Sequence, residues 1–124
     1  MIDNYKFGEF IIKGKKYKSN VALINDQAKP ARYLENHELR LDDFLELVNA
    51  SPSTIIIGTG ASGVVKVPQE IIDYIEKRKI KLIIAKTSDA CKKYNELIKQ
   101  GKNIAAFMHN TCWTSLDQLG EAAC

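Results

Sequence analysis

Three apolar runs in the second half of the chain constrain its fold more than any other feature. They are Thr54-Ile55-Ile56-Ile57, Leu82-Ile83-Ile84-Ala85 and Ile104-Ala105-Ala106-Phe107-Met108. None alternates with polar residues, which is the pattern of strands covered on both faces, as parallel strands usually are. Two helical patterns separate them. Pro68 suits the first turn of a helix presenting Ile71, Ile72 and Ile75, and Ser88 reads as the cap of a second helix. That second helix presents Ala90, Cys91, Tyr94, Leu97 and Ile98 until Gly101 stops it. Strand, helix, strand, helix, strand implies two right-handed crossovers and a parallel core.

The first half is less regular. Residues 7–12 and 17–24 are rich in strand formers and flank Lys13-Gly14-Lys15-Lys16, which predicts an antiparallel β-hairpin. Residues 25–40 lack a sustained period and read as loop, with a short strand near 32–34. Leu41, Phe44, Leu45 and Val48 fall at i, i+3, i+4 and i+7, giving a short helix with Asp42 and Asp43 in its acid-favouring first turn. The expected fold class is α/β. It is a single domain over 1–124, with an N-terminal hairpin (1–24), a mixed sheet built on a parallel βαβαβ core (54–112) and a C-terminal tail (113–124). The hairpin either joins that sheet or packs as a second small one.

Composition removes several function classes. Apolar residues at 45% and charged ones at 27% exclude disordered, collagenous and low-complexity chains. Cys91, Cys112 and Cys124 form an odd, sparse set, unlike a secreted disulfide scaffold. No stretch approaches the ~18 apolar residues of a membrane span, and the first residues lack a signal pattern, so a cytoplasmic location without membrane contact is expected. The net charge is +3. Residues 1–53 carry 8 basic and 8 acidic side chains, whereas 66–102 carry 10 and 5, so the excess cations lie in the second half. They are interspersed with acids at helical spacing, as in Asp73 and Lys77, rather than clustered as a nucleic-acid surface requires. Lys13, Lys15, Lys16 and Lys18 at the hairpin tip read as edge protection.

Gly58-Thr59-Gly60-Ala61-Ser62-Gly63 matches G-x-G-x-x-G directly after a strand, half of a dinucleotide fingerprint. The other half fails. Val64-Val65-Lys66-Val67-Pro68 follows, so no helix begins within the glycines to present its amides to a pyrophosphate. The next strand ends at Lys86 rather than at a ribose-binding acid. The alternative role is structural: glycines for positive φ and close backbone passage at a strand exit.

In an open parallel sheet, ligands bind at the carboxyl ends of the strands. Three loops are expected on that rim: the glycine loop, Lys86-Thr87-Ser88, and His109-Asn110-Thr111-Cys112. Candidate cleft residues are Gly58, Thr59, Gly60, Ser62, Gly63, Lys86, Thr87, His109, Thr111 and Cys112. Unpaired glycine-loop amides with Lys86 nearby suit a small anion. Alternatively, Thr87 and Ser88 merely cap the helix while Lys86 is solvated. Cys112 with His109 is the minimum for a thiol nucleophile, but the sequence offers no third, orienting residue. The bland alternative is a buried, inert Cys112 and a hydrogen-bonded His109. Cys91 falls on the apolar helix stripe and reads as core, and His37 has no evident partner. One His and one nearby Cys fall two ligands short of a structural zinc site, so no metal and no cofactor are expected.

The segments Ile-Ile-Ile-Gly-Thr-Gly-Ala-Ser-Gly at 55–63, Val67-Pro68, Lys86-Thr87, Tyr-Asn-Glu-Leu at 94–97 and Ala-Ala-Phe-Met-His-Asn-Thr-Cys at 105–112 resemble, in order and spacing, one family of small α/β domains. It is the domain shared by the adipogenesis-associated domain-containing protein, the mitochondrial respiratory complex I assembly factor of the same fold, and many bacterial and archaeal proteins. The resemblance implies a compact three-layer fold without established catalytic activity or cofactor. Links of its members to respiratory-complex assembly and regulatory phenotypes imply protein partners. The family's Gly-Thr-Gly turn and His-x-Thr-Cys end fall here on Gly58 to Gly60 and His109 to Cys112. This chain continues past Cys112, where such chains often stop, and the added tail is expected to cover the cleft or present a partner surface. The expected function is thus a non-enzymatic interaction or assembly domain with a small-anion cleft. The alternatives are a Cys/His enzyme on a small substrate and a weak nucleotide binder. A homo-oligomer would use Trp113 or the hairpin edge.

Overall fold

A computed structural model describes residues 1–6 and 8–110. Thr111, Cys112, the 113–124 tail and the hairpin's expected first residue, Phe7, lie outside the described residues.

The chain builds two sheets. A small antiparallel sheet has the order β1-β2-β3, with β1 at Ile2–Lys6, β2 at Glu9–Ile12 and β3 at Lys15–Tyr17. The predicted hairpin is β2 and β3, joined by a two-residue turn in which Lys13 and Gly14 both have positive φ, as a type I′ turn needs. The large sheet has the order β5-β4-β8-β6-β7, with β4 at Asn20–Ile24, β5 at Gln27–Ala31, β6 at Thr54–Gly58, β7 at Lys81–Ala85 and β8 at Ile104–Met108. β6 runs parallel to both β7 and β8, whereas β4 is antiparallel to β8 and β5. The helices are α1 at Asp42–Asn49, α2 at Gln69–Lys77 and α3 at Thr87–Lys99.

Residue alternation in the central strands divides the core into two layers around the large sheet. Ile55, Ile57, Ala105 and Phe107 meet Phe44, Leu47 and Val48 of α1 and Ile71 and Ile75 of α2. On the opposite face, Ile56, Ile104, Ala106 and Met108 meet Ala90, Cys91 and Tyr94 of α3 together with Phe10, Ile12 and Tyr17 of the small sheet. Each fully buried isoleucine contributes about 1.5–3 kcal/mol of burial. This is the expected three-layer α/β domain, with the hairpin in a separate sheet.

Several local expectations are corrected. Residues 17–24 are not one strand: the chain changes sheets at Lys18-Ser19 so that Tyr17 packs in the small sheet while Val21 and Leu23 line the large one. The strand expected near 32–34 lies at β5 instead. Asn25 and Asp26, both at positive φ, form the turn that starts it, and Pro30 is tolerated because β5 is an edge. In α1 the buried stripe is Phe44, Leu47 and Val48, with Leu41 and Leu45 at its exposed margin. Ser88 does not cap α3, which begins at Thr87 after Lys86. Finally, β6 and β8 are buried throughout but β7 is not, because it is the outermost strand.

Gly58 is required by close approach. A Cβ there would lie 2.8 Å from Met108 Sδ and 3.2 Å from Thr87 Cα, so α3 would have to move away from β6. Gly58→Ala is expected to lower stability by about 1–3 kcal/mol, seen as a lower urea midpoint at unchanged slope. An unchanged midpoint would mean that α3 yields freely.

Candidate functional site

Because β6 is parallel in register to both β7 and β8, their carboxyl ends form one rim, and the glycine loop, Lys86-Thr87-Ser88 and His109-Asn110 converge there. Adjacent strands β6 and β7 lead to α2 and α3, which pack on opposite faces of the sheet. Between strands whose exits diverge in this way lies the crevice where α/β sheets bind ligands.

Here that crevice is stitched closed. Thr59 donates to Ala85 O from its backbone N–H at 2.9 Å and from its hydroxyl at 3.0 Å. Gly60 N–H donates to Thr87 Oγ1 at 2.7 Å, and Thr87 N–H returns a bond to Gly60 O at 3.2 Å. The Thr87 hydroxyl then donates to His109 O at 3.0 Å, and His109 N–H donates to Gly58 O at 3.0 Å. One buried hydroxyl therefore ties together the exits of all three parallel strands. Gly60 fits this clasp by adopting φ +100, which side-chain-bearing residues rarely take. The amides of Gly63 and Val65 are also used, by Gly60 O at 3.3 Å and Thr59 O at 3.1 Å. The expectation of free amides therefore fails for Thr59, Gly60, Gly63 and Val65.

Of the predicted cleft residues, the structure brings together Gly58, Thr59, Gly60, Thr87 and His109. Ser62 and Gly63 are exposed on the outer loop, where the Lys86 stem passes 3.6 Å from the position a Gly63 Cβ would take. Lys86 is solvent-facing. Cys91 is buried in the core, and burial pushes its thiol up to about 12, far from a reactive thiolate.

Two asparagines, neither a candidate from the sequence, organise the far side of the rim. Asn20 Oδ1 accepts from Asn110 N–H at 2.8 Å and lies 3.0 Å from His109 Nδ1, while Asn20 Nδ2 donates to Arg32 O at 3.0 Å. With Nδ2 committed as donor, Oδ1 is an acceptor. His109 therefore carries its proton on Nδ1. Asn110 Nδ2 points at the carbonyls of Ser19, Gly8 and Tyr17, the first at 3.1 Å, and so anchors the passage between the two sheets. The sequence signal for Asn20 was an amide opening an otherwise apolar strand. His37, expected to lack a partner, sits edge-on to His109 with ring centroids 5.7 Å apart. Its carbonyl accepts from Lys66 N–H at 2.7 Å, joining residues 35–39 to the exit of the glycine loop. Among the described residues, no group of three or more metal-ligating side chains converges.

The model of a family described as protein of unknown function (DUF498/DUF598) matches residues 2–109. The chain belongs to this family. Solved structures agree with the fold. MT938 is 26% identical, with a TM-score of 0.75 over 90% of this chain and 98% of its own. The conserved hypothetical protein PH1505 of Pyrococcus horikoshii OT3 is 21% identical, with a TM-score of 0.77 over 90% and 99%. A protein of Bartonella henselae described as an outer membrane protein is 19% identical, with a TM-score of 0.78 over 88% and 92%. That likeness concerns fold alone. In this DUF498/DUF598 chain, no helix among the described residues is long and apolar enough to cross a membrane.

The buried histidine of the DUF498/DUF598 domain has a measurable consequence. Burial, reinforced by the charge of His37, lowers the His109 pKa from 6.5 to about 4. The unfolded chain takes up this proton near its ordinary pKa, whereas the folded chain refuses it until about pH 4. Stability is thus complete above about pH 6.5 and falls as the pH drops towards 4, by on the order of 3 kcal/mol. Urea midpoints taken between about pH 7.5 and 4.5 should show this fall, and His109→Gln should flatten it. An identical slope in His109→Gln would assign the acid sensitivity elsewhere.

Proposed function

We propose that this DUF498/DUF598 domain is a non-enzymatic interaction or assembly module that works in the cytoplasm by binding another protein. The observation that carries the reading is the closed crevice at the strand ends. Four amides at the crevice, those of Thr59, Gly60, Gly63 and Thr87, are already bonded to Ala85 O, Thr87 Oγ1 and Gly60 O rather than turned towards a small anion or a nucleotide. The resemblance to the adipogenesis-associated domain and to the complex I assembly factor agrees with a docking role. Immobilised domain passed over an extract of its host should retain a discrete protein that free domain releases. Millimolar phosphate, carboxylates or nucleotides should leave its melting temperature unchanged, since any ligand of the native state raises it. Retention of nothing, together with a clear thermal shift by one of these ligands, would replace the docking reading with a small-molecule site.

A second reading gains one observation. Asn20 supplies the orienting partner that a Cys112/His109 pair needs, since it fixes His109 as the tautomer whose Nε2 carries the lone pair. Against it, His109 is only 3% exposed. In a Cys124→Ser background, Cys112 alkylation that follows an ordinary thiol titration is expected. A thiol already reactive near pH 6 would establish the enzyme reading.

A further inference from the structure

We infer that the open edge of β7 is a strand-addition site for an extended acidic segment of a partner protein, an inference that rests on the docking role proposed above. β7 is the outermost strand of the large sheet. Lys81 N–H bonds to Ser53 O at 3.1 Å and Ala85 O accepts from Thr59 N–H at 2.9 Å, so residues 81, 83 and 85 turn their backbone groups towards β6. By alternation, Leu82 and Ile84 turn theirs outward. Apolar surface accompanies this free edge: Leu82, Ile83 and Ala85 are half-buried and Ile84 is 44% exposed.

Other edges are guarded. β5 carries Pro30, and its cation Lys29 is paired with Glu46, with Arg32 just beyond it paired to Asp43. The edge of β1 is engaged by Asn95, whose amide side chain accepts from Ile2 N–H and donates to Ile2 O, both at 2.8 Å. Strand β3 has three residues, of which Lys15 and Lys16 are exposed. Natural sheets cover or charge their edges, and those that stay open are where extended peptides add.

Charge selects the occupant. From Arg78 to Ser88 the sequence holds Arg78, Lys79, Lys81 and Lys86 and no acid. Arg78 stacks on the Tyr74 ring at 3.6 Å, but among the described residues Lys79, Lys81 and Lys86 have no carboxylate partner. A second copy could match Leu82 with Ile84 about a two-fold axis at Ile83, yet it would place two such cation sets along one seam. An acidic strand meets the same backbone groups and neutralises the lysines. Lys81 and Lys86 are about 17 Å apart at strand rise, so the fitting segment has four or five β-forming residues with acids at both ends.

The test uses a fluorescent peptide, Asp-Glu-Val-Thr-Val-Thr-Glu-Asp, and a counterpart with every acid replaced by lysine. The acidic peptide should bind with salt-sensitive affinity and shift the Leu82 and Ile84 amide resonances, and the basic one should not. Lys81→Glu with Lys86→Glu should weaken binding about tenfold or more. Ile84→Pro, which removes an N–H that makes no bond among the described residues, should abolish it. Methylating alternate amides of the peptide, which leaves the domain untouched, should do the same along one edge only. Equal binding of the basic peptide, indifference to methylation, or shifts confined to other elements would overturn the inference. Concentration-dependent shifts at Leu82 and Ile84 in the free domain would assign the edge to a second copy instead, overturning it too. Capture of a host protein that survives both sets of β7 substitutions would remove β7 as the site while leaving the docking role intact. Failure to capture any protein would remove the docking role itself.

Discussion

Replacing Asn20 with alanine should destabilise the folded domain by about 2–4 kcal/mol, because two buried groups and one part-buried carbonyl lose their partner and each uncompensated buried group costs about 1–3 kcal/mol. Those groups are His109 Nδ1, Asn110 N–H and Arg32 O. Asn20 is itself fully buried, so the truncated site offers little room for water to replace the lost amide. The measurement is a urea midpoint at unchanged slope, and a loss below about 1 kcal/mol would show that solvent reaches the site after all. Asn20→Asp provides a sign test. A carboxylate beside His109 favours the imidazolium, so this variant should be relatively more stable near pH 5 than near pH 7.5, opposite to the parent. Retention of the parental trend would mean that the Asn20–His109 contact does not govern the histidine's protonation.

The βαβαβ half was legible because its signals are local. Apolar runs of strand length, helix-period isoleucines after Pro68 and the stop at Gly101 each report on neighbours a few residues away. What escaped depends on distance in sequence or on sheet order. Asn20 and His109 are 89 residues apart, and nothing near either announces the other. Leu82 to Ala85 is apolar without a break, as are Ile55 to Ile57 in β6 and the whole of β8. Its exposure follows from lying outermost, which a local pattern does not encode. The division of residues 17–24 between two sheets is fixed by carbonyls that point at Asn110, again far along the chain. Turn chemistry accounts for the misplaced fifth strand: Asn25 and Asp26 at positive φ reverse the chain tightly where a longer loop was expected. The rim residues themselves were found because a parallel sheet collects its strand ends. Their hydrogen bonding was not, since a threonine at a helix start reads equally as a cap, an anion donor or an internal clasp.

Thr87→Val decides among those roles. Valine keeps the shape of the side chain but removes the oxygen that accepts from Gly60 N–H and donates to His109 O, leaving both groups buried. The expected loss is about 2–4 kcal/mol, with Thr87→Ser, which retains the hydroxyl, costing about 1 kcal/mol or less. Hydrogen exchange localises the effect, since the Gly60 amide should lose protection in Thr87→Val and keep it in Thr87→Ser. A helix cap would behave differently, exposing the first amides of α3 and sparing Gly60. A smaller side chain tests why the parent should ignore small anions. Thr87→Ala removes the hydroxyl and also uncovers the Gly60 N–H, so millimolar phosphate should raise the melting temperature of Thr87→Ala but not of the parent. Phosphate stabilising both proteins equally would place an anion outside the clasp and separate the closed crevice from the domain's inability to hold one.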